Sequence, residues 1–160
     1  MVMRSSRVNA KYVYITDGEA IVKVYSTKKE LAGLDVGKRI RVTGTWFANE
    51  NNTYLRIKDR DADISVIESS VGVPGFQIID TGLLDSVPLF WEVRVSGIVD
   101  NQSGRTWNLV TPEATIKVEL AKDLNLTKPE FTKGDTMSVS GFVDIERGVR
   151  RVVVSDVSQM

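Results

Sequence analysis

The chain has 160 residues, 42% hydrophobic and 26% charged, which is enough for one globular domain or two small ones. It contains no cysteine and no histidine, which excludes disulfides, zinc–thiolate sites and catalysis by either side chain. The 21 basic and 21 acidic residues give zero net charge, unlike the strongly basic composition that is typical of many nucleic-acid-binding proteins. The charge is unevenly shared, because residues 1–70 carry 12 basic and 9 acidic residues whereas residues 71–160 carry 9 and 12.

The N-terminal sequence MVMRSSRVNAKYVYITDG has no apolar core of the kind found in signal peptides. No run approaches 18 apolar residues, so no transmembrane helix is predicted. These features leave the cellular compartment unknown.

Hydrophobic residues alternate with period two in the first half, and turn residues such as Asp17-Gly18 separate the runs. This pattern predicts strands over 12–16, 20–25, 38–47, 53–57 and 62–67. A short helix is predicted from Thr27 to about Leu34.

The second half shows the same alternation after a stretch rich in glycine and proline. A short helix is predicted at about 81–87, and strands over 91–99, 105–110, 115–120, 136–143 and 149–154. GKRIRVTGTW (37–46) aligns with GDTMSVSGFV (134–143), and YVYITDGEAIVKV (12–24) aligns more loosely with TWNLVTPEATIKV (106–118). The repeat indicates two homologous domains, 1–70 and 89–160, joined by a linker over 71–88.

These repeated segments, with two strands and a short helix followed by GKRIRVTG in the first half and by GDTMSVSG in the second, resemble the OB-fold modules of nucleic-acid-binding proteins. They are also similar to OB modules beside bacterial extracellular nuclease and phosphoesterase domains. The resemblance implies an all-β protein of two consecutive five-stranded Greek-key barrels, each with at most one short helix. Gly44 and Gly141 are expected where a barrel strand bends and a side chain would clash. The first strand, from Val2 to about Val8, is short and polar, which leaves three interpretations: it is truncated, it is extended by residues outside this sequence, or another segment completes it.

Alternation places Val13, Val24, Leu55 and Ile57 on the inward face of the first domain, and a set of aromatic and basic residues on its outward face. In OB-folds the face of strands two and three binds single-stranded nucleic acid, where aromatic rings stack on bases and cations contact phosphates. The alternative is that the tyrosines are strand formers that pack against neighbouring side chains. The predicted nucleic-acid-binding residues are Tyr12, Tyr14, Lys23, Tyr25, Arg39, Arg41, Trp46, Tyr54 and Arg56.

The second domain lacks this aromatic set, because Asn108 and Glu119 stand where the first has Tyr14 and Tyr25. We therefore expect it to bind nucleic acid poorly. Trp107 shares the phase of Leu109, which predicts a core position. The pair Arg150-Arg151 is interpreted as a solvated strand end, with a phosphate contact as the alternative.

No catalytic motif is present, so the sequence predicts a non-enzymatic module without cofactor or metal. Asp59, Asp61 and Asp63 could bridge a divalent cation if they shared one strand face, but a solvated turn is the simpler interpretation.

The leading hypothesis is binding of single-stranded DNA or RNA by the first domain. The alternative is an accessory module of a larger, secreted nuclease or phosphoesterase, with a protein partner at the incomplete first strand. Oligosaccharide binding is a third hypothesis, although the aromatic residues have basic rather than acidic neighbours.

Overall fold

The computed structural model describes residues 1–4, 11–28, 31–50, 52–69, 78–121 and 129–154. The chain divides into two compact units, Met1–Gly75 and Phe76–Met160. The domain boundaries predicted at residues 70 and 89 stay predictions.

The first unit is built from short strands joined by turns. Strands β1, β2, β3, β6 and β5 form one sheet in that order, and β4 pairs with β7 in a second sheet. The β3–β6 pairing is parallel, and the other pairings are antiparallel. Its elements are β1 (Val2–Arg4), β2 (Tyr12–Thr16), β3 (Ile21–Ser26), β4 (Arg39–Val42), β5 (Thr45–Asn49), β6 (Asn52–Ile57), α1 (Arg60–Asp63) and β7 (Ile64–Glu68).

The second unit is a closed barrel. Its strands are β8 (Ile79–Asp80), β9 (Glu92–Ser103), β10 (Thr106–Val110), β11 (Thr115–Leu120), β12 (Thr136–Glu146) and β13 (Val149–Val154). The order β10-β11-β13-β12-β9 is closed by a β9–β10 pairing, and β8 lies along the other edge of β9. A closed barrel with one parallel pairing, β11–β13, has the connectivity of the OB-fold. The predicted all-β, OB-type fold is confirmed.

The first strand of the OB pattern is continuous in the second unit and divided in the first. In the second unit, the Val99 backbone bonds with Asp135 O (2.9 Å) and Gly134 N (2.8 Å). In the first, the Val2 backbone makes the same two bonds with Lys38 O (2.8 Å) and Gly37 N (3.0 Å). Strand β1 therefore corresponds to the second half of β9.

Strand β7 corresponds to the first half of β9. Ile64 pairs with Val42 of β4, as Val95 of β9 pairs with the matching Val139 of β12. The strand predicted over 62–67 is thus present as β7. It pairs with β4 and supplies the part of the first OB strand that β1 lacks. The hypothesis of a protein partner assigned the pairing at the incomplete first strand to a second protein. Among the described residues, β7 of this chain makes that pairing with β4.

The predicted inward phase forms the two cores. In the first unit Val13, Val24 and Ile57 are fully buried in one cluster, which Ile64 of β7 joins. In the second unit Trp107 is fully buried beside Leu109, as its phase predicted. Alternation of apolar and polar residues therefore predicted the burial of these core residues.

The two predicted strand-bend glycines lie at matching close approaches. A Cβ atom on Gly44 would lie 2.5 Å from the carbonyl oxygen of Arg56, and one on Gly141 would lie 2.5 Å from that of Val153. Both contacts are with backbone atoms, which cannot move aside without disturbing the neighbouring strand. Glycine is therefore required at both positions, as predicted.

Neither predicted helix is present among the described residues, and residues 29 and 30 of the first prediction lie outside them. The described residues around 27–34 form turns, in which Leu34 N donates to Leu31 O, and both leucines are buried in the core. Residues 81–87 also form turns, in which Val87 N donates to Leu84 O. An apolar pair three residues apart suits a turn as well as a helix, which explains both errors. The described part of the chain contains no helix long and apolar enough to span a membrane.

Candidate functional site

Four aromatic side chains form a continuous ladder across the outward face of the first unit's sheet. Tyr12 on β2 lies against Tyr25 on β3, with ring centroids 5.3 Å apart. Tyr25 contacts Tyr54 on β6 edge to face at 5.2 Å, and Tyr54 stacks on Phe47 of β5 at 4.8 Å. The cross-strand registers Tyr12–Tyr25 and Phe47–Tyr54 bring these residues together.

Basic side chains accompany the ladder. Lys23 Nζ lies 5.1 Å from the centroid of the Tyr12 ring, and Arg4 lies over the Tyr14 ring at 5.6 Å. Arg56 is exposed and follows Tyr54 on the same face of β6. The strands β1, β2, β3, β5 and β6 contain no aspartate or glutamate. Of the three basic residues, Arg56 is the exposed cation, whereas Arg4 and Lys23 are buried.

Burial divides the predicted site. Tyr14 and Lys23 are each only 3% exposed, so the structure does not support the expectation that they form an open platform. Tyr12, Tyr25 and Tyr54 are half-buried, and Phe47 is 41% exposed. The accessible part of the face is therefore the end of the ladder formed by Tyr54, Phe47 and Arg56.

The remaining predicted residues lie apart from the ladder. Arg39 and Arg41 are exposed on β4, which pairs with β7 and not with the five-stranded sheet. Trp46 is 55% exposed, and its cross-strand partner Leu55 belongs to the inward phase, opposite to Phe47. The structure thus groups Tyr12, Tyr25, Tyr54 and Arg56, and it places Arg39, Arg41 and Trp46 elsewhere.

Two members of the face were missed in the sequence. Phe47 directly follows Trp46, and alternation places the two side chains on opposite faces. The prediction included the tryptophan and omitted Phe47, which completes the ladder. The register of the β5–β6 hairpin could have found Phe47, because Asn49 and Asn52 flank its turn. Arg4 had no comparable signal, because its pairing with Tyr14 follows an irregular register.

In the second unit, the matching positions hold an ion cluster. The pairing Trp46–Leu55 corresponds to Val143–Val152, so Phe47 and Tyr54 correspond to Asp144 and Arg151. The pairing Val24–Leu55 corresponds to Val118–Val152, so Tyr25 corresponds to Glu119. The aromatic ladder and the ion cluster occupy the same place in the two units.

Arg151 binds three carboxylates. Its guanidinium lies 2.5 Å from Glu119 and 3.3 Å from Asp144, and it also binds Glu146. Attraction to these carboxylates raises the pKa of Arg151 against the opposing effect of burial. Arg150 donates to the carbonyl oxygens of Leu84 and Val87. Neither arginine is the solvated strand end or the phosphate contact that we considered from the sequence.

The acidic residues after β6 form a capping turn. The Asp59 carboxylate accepts from the backbone N–H groups of Asp61 and Ala62 at the start of α1. Asp63 accepts from the N–H groups of Asp59 and Lys58, which lower the pKa of its carboxyl below the ordinary value. Asp61 pairs with Arg60. Backbone capping therefore accounts for the spacing that had suggested a cation site.

Strand connectivity defines the protein as an all-β protein of OB type. No protein-family model matches the chain, and no curated protein matches it.

Solved structures with a similar arrangement include a p204 HINb domain, which has a TM-score of 0.47 at 11% identity over 97% of this chain and 90% of that one. A murine DNA-binding protein bound to double-stranded DNA gives 0.42 at 11% identity, over 90% and 80% of the two chains. An Ifi202 HINa domain in complex with 20-bp double-stranded DNA gives 0.38 at 14%, over 97% and 89%. These values carry no inference about function.

Proposed function

We propose that this protein is a non-catalytic module that binds single-stranded nucleic acid through the outward face of the first unit. The observation that carries the proposal is the aromatic ladder Tyr12–Tyr25–Tyr54–Phe47, on a sheet whose strands contain basic residues and no carboxylates. Unpaired bases stack on aromatic side chains, at about 1–3 kcal/mol per base, while arginine and lysine attract the phosphates.

Within this proposal, the accessible end of the ladder makes the principal contacts. Tyr54 and Phe47 stack with a base, and Arg56 contacts the adjacent phosphate. Tyr12 and Tyr25 support these rings from the neighbouring strands, with Lys23 over Tyr12. Tyr14 is buried and acts as a packing residue. Arg39 and Arg41 on β4, and Trp46 on the opposite face of β5, lie outside the ladder and do not contact the bound strand in this proposal.

The second unit contributes little to binding in this proposal. Its matching positions carry three carboxylates around Arg151, which would repel phosphates, and they offer no ring for stacking. The neutral net charge of the whole chain predicts modest affinity that falls with salt.

Fluorescence anisotropy with fluorescein-labelled oligo-dT, oligo-dA and duplex DNA tests the proposal, at about 50 and 200 mM salt. We expect the single strands to bind, and Tyr54→Ala to weaken binding by about 5- to 150-fold, which corresponds to about 1–3 kcal/mol. Tyr54→Phe keeps the ring and should retain most of the affinity. Arg56→Gln should reduce the slope of log affinity against log salt by about 0.7.

Thr106→Ala is the matched control, because Thr106 pairs with Glu119 as Tyr12 pairs with Tyr25. It should leave binding unchanged, whereas Tyr12→Ala should weaken it. Thermal melts of every variant show whether the fold is retained. Absence of binding by folded wild-type protein at 50 mM salt, or equal loss in Tyr54→Ala and Tyr54→Phe, would refute stacking on the ladder.

A second candidate is a protein-interaction module of a larger protein, including a nuclease or phosphoesterase. It is favoured by β7, where Val66 and Ile67 are exposed and where the described residues provide a paired strand on the β4 side alone. An exposed edge strand with apolar side chains can accept an added strand. If this second candidate is right, the protein should not bind oligonucleotides but should capture an extended peptide through β7.

A further inference from the structure

The division of the first OB strand opens the interior of the first unit. A cavity of about 460 Å³ lies where the end of β7 meets the start of β1. Ile67 of β7 and Met1, next to β1, both line it, together with residues of β2, β3 and β4. Among the described residues, the lining consists of Met1, Ile15, Thr16, Asp17, Ala20, Val22, Arg39, Ile40 and Ile67.

The matching core residues of the second unit are more deeply buried. Ile15, Val22 and Ile40 of the cavity correspond by pairing and repeat to Leu109, Ile116 and Met137, which are buried in the second core. There, β9 is continuous and passes close to β10: a Cβ on Gly97 would lie 2.7 Å from the carbonyl oxygen of Val110. The cavity therefore combines inward-facing side chains of β2, β3 and β4 with exposed residues of the β2–β3 turn.

The cavity has a cation at its margin. Arg39 is exposed and makes no ion pair within the described parts of the chain, and the second unit has Thr136 at the matching position. The Asp17 carboxylate, also in the lining, accepts from the N–H groups of Glu19 and Ala20. These bonds compensate part of its charge, so Arg39 is the group with free capacity for a ligand.

We propose that this cavity binds an unbranched aliphatic carboxylate, with the hydrocarbon chain in the barrel interior and the carboxylate on Arg39. A volume of this size is within the usual range for small-molecule sites, and its lining is mainly apolar. Each further buried methylene should tighten binding about fourfold, the equivalent of about 0.8 kcal/mol. The proposal does not rest on nucleic-acid binding, because the cavity uses the inward phase of β2 and β3 and the ladder uses the outward phase.

Decanoate is a suitable probe, followed by NMR of isoleucine δ1 methyl groups in the full chain. We expect shifts at Ile15, Ile40 and Ile67. Ile57, which is buried in the same unit and is not in the described cavity lining, and Ile79 of the second unit should not move. Octanoate should bind more weakly than decanoate, and hexanoate more weakly than octanoate.

Arg39→Gln tests the anion contact. It should weaken decanoate binding about two- to fivefold, as expected for an exposed ion pair, and leave decanol binding unchanged. Lys58→Gln, another exposed cation of the same unit, is the matched control and should change neither. Val22→Phe, which fills the cavity, should reduce the affinity for both probes.

Three results would overturn the proposal. Absence of shifts up to the solubility limit of decanoate would exclude the cavity as a site. Equal shifts at the lining and control methyl groups would indicate unspecific detergent-like binding. An equal effect of Arg39→Gln on decanoate and decanol would exclude recognition of the carboxylate. Oligo-dT anisotropy on the same samples reports the ladder independently.

Discussion

The two units reach the same strand arrangement from different parts of the chain. In the second unit, one twelve-residue strand, β9, pairs with β12 through its first half and with β10 through its second. In the first unit, β7 and β1 make these two sets of pairings separately. A barrel strand can therefore keep its pairing partners even when it is made of two separate segments of the chain. In the first unit a cavity lies where these two segments meet.

The outward faces differ in a second, related way. Three positions that are aromatic in the first unit, Tyr25, Tyr54 and Phe47, are charged in the second and meet in one ion cluster. Cross-strand contacts stabilise both faces, one by ring packing and one by ion pairing. Only the aromatic face leaves groups that can stack on a ligand.

The largest effect is expected for Arg151→Met in the ion cluster. It leaves Glu119 and Asp144 largely buried without their cation, which should lower the free energy of unfolding of the second unit by about 3–5 kcal/mol. Amide hydrogen exchange, read separately for each unit, measures this loss. Arg94→Met, at a solvent-exposed pair with Asp80, should cost less than about 1 kcal/mol.

The triple variant Glu119→Tyr, Asp144→Phe and Arg151→Tyr tests whether the two faces are equivalent. It places the rings of Tyr25, Phe47 and Tyr54 at the matching positions of the second unit. Because the two buried carboxylates are removed together with Arg151, and the remaining Glu146 is solvent-exposed, we expect it to be more stable than Arg151→Met. A triple variant as unstable as the single one would show that the two faces are not equivalent.

The next effect concerns β7 as part of the first unit's core. Ile64→Ala should lower the free energy of unfolding of that unit by about 2–5 kcal/mol, because Ile64 is buried among core residues. Hydrogen exchange of the β4 amides reports the loss. Ile67→Ala, at an exposed position of the same strand, should have a small effect; similar losses for both would show that β7 does not replace the missing half-strand.

Gly44→Ala and Gly141→Ala form a matched pair across the two units. Each added Cβ would overlap a backbone carbonyl, so each should cost about 1–3 kcal/mol, in the first and second unit respectively. Urea denaturation with unit-resolved exchange measures both, and Ser140→Ala, which adds no atom, is the control. A large effect in one unit alone would break the proposed correspondence.

The smallest effect is a pH dependence at the capping turn of the first unit. The N–H groups of Asp59 and Lys58 hold the pKa of Asp63 below its ordinary value of 3.8. A depressed pKa stabilises the fold above the unfolded value, and this contribution is lost as the pH falls through the folded value. Melting temperatures between about pH 2 and 6 should therefore depend less on pH in Asp63→Asn than in the wild type; parallel curves would contradict this.

Local pattern was sufficient for most of the fold. Period-two alternation predicted the strands and the buried side of Val13, Val24 and Trp107, because the pleat fixes which face each residue takes. Glycine spacing predicted the two close approaches at Gly44 and Gly141. These features depend on a few consecutive residues, which the sequence shows directly.

Features that depend on distant pairings could not be predicted. Alternation places Tyr14 and Lys23 outward, but it does not reveal that both are buried. The Arg151 cluster joins residues from three strands, and a pair of arginines at a strand end gives no sign of it. The role of β7 likewise depends on its register with β4, which lies more than twenty residues earlier in the chain.

The most direct test of the central claim is to titrate oligo-dT into the ¹⁵N-labelled full chain and map the shifted amides. We expect the amide signals of the ladder to shift, with the largest changes at Phe47, Tyr54 and Arg56. The amide signals of the matching residues Asp144, Arg151 and Val153 should not change. Shifts centred on the second unit, or none at low salt, would contradict the claim that the aromatic face of the first unit is the binding surface.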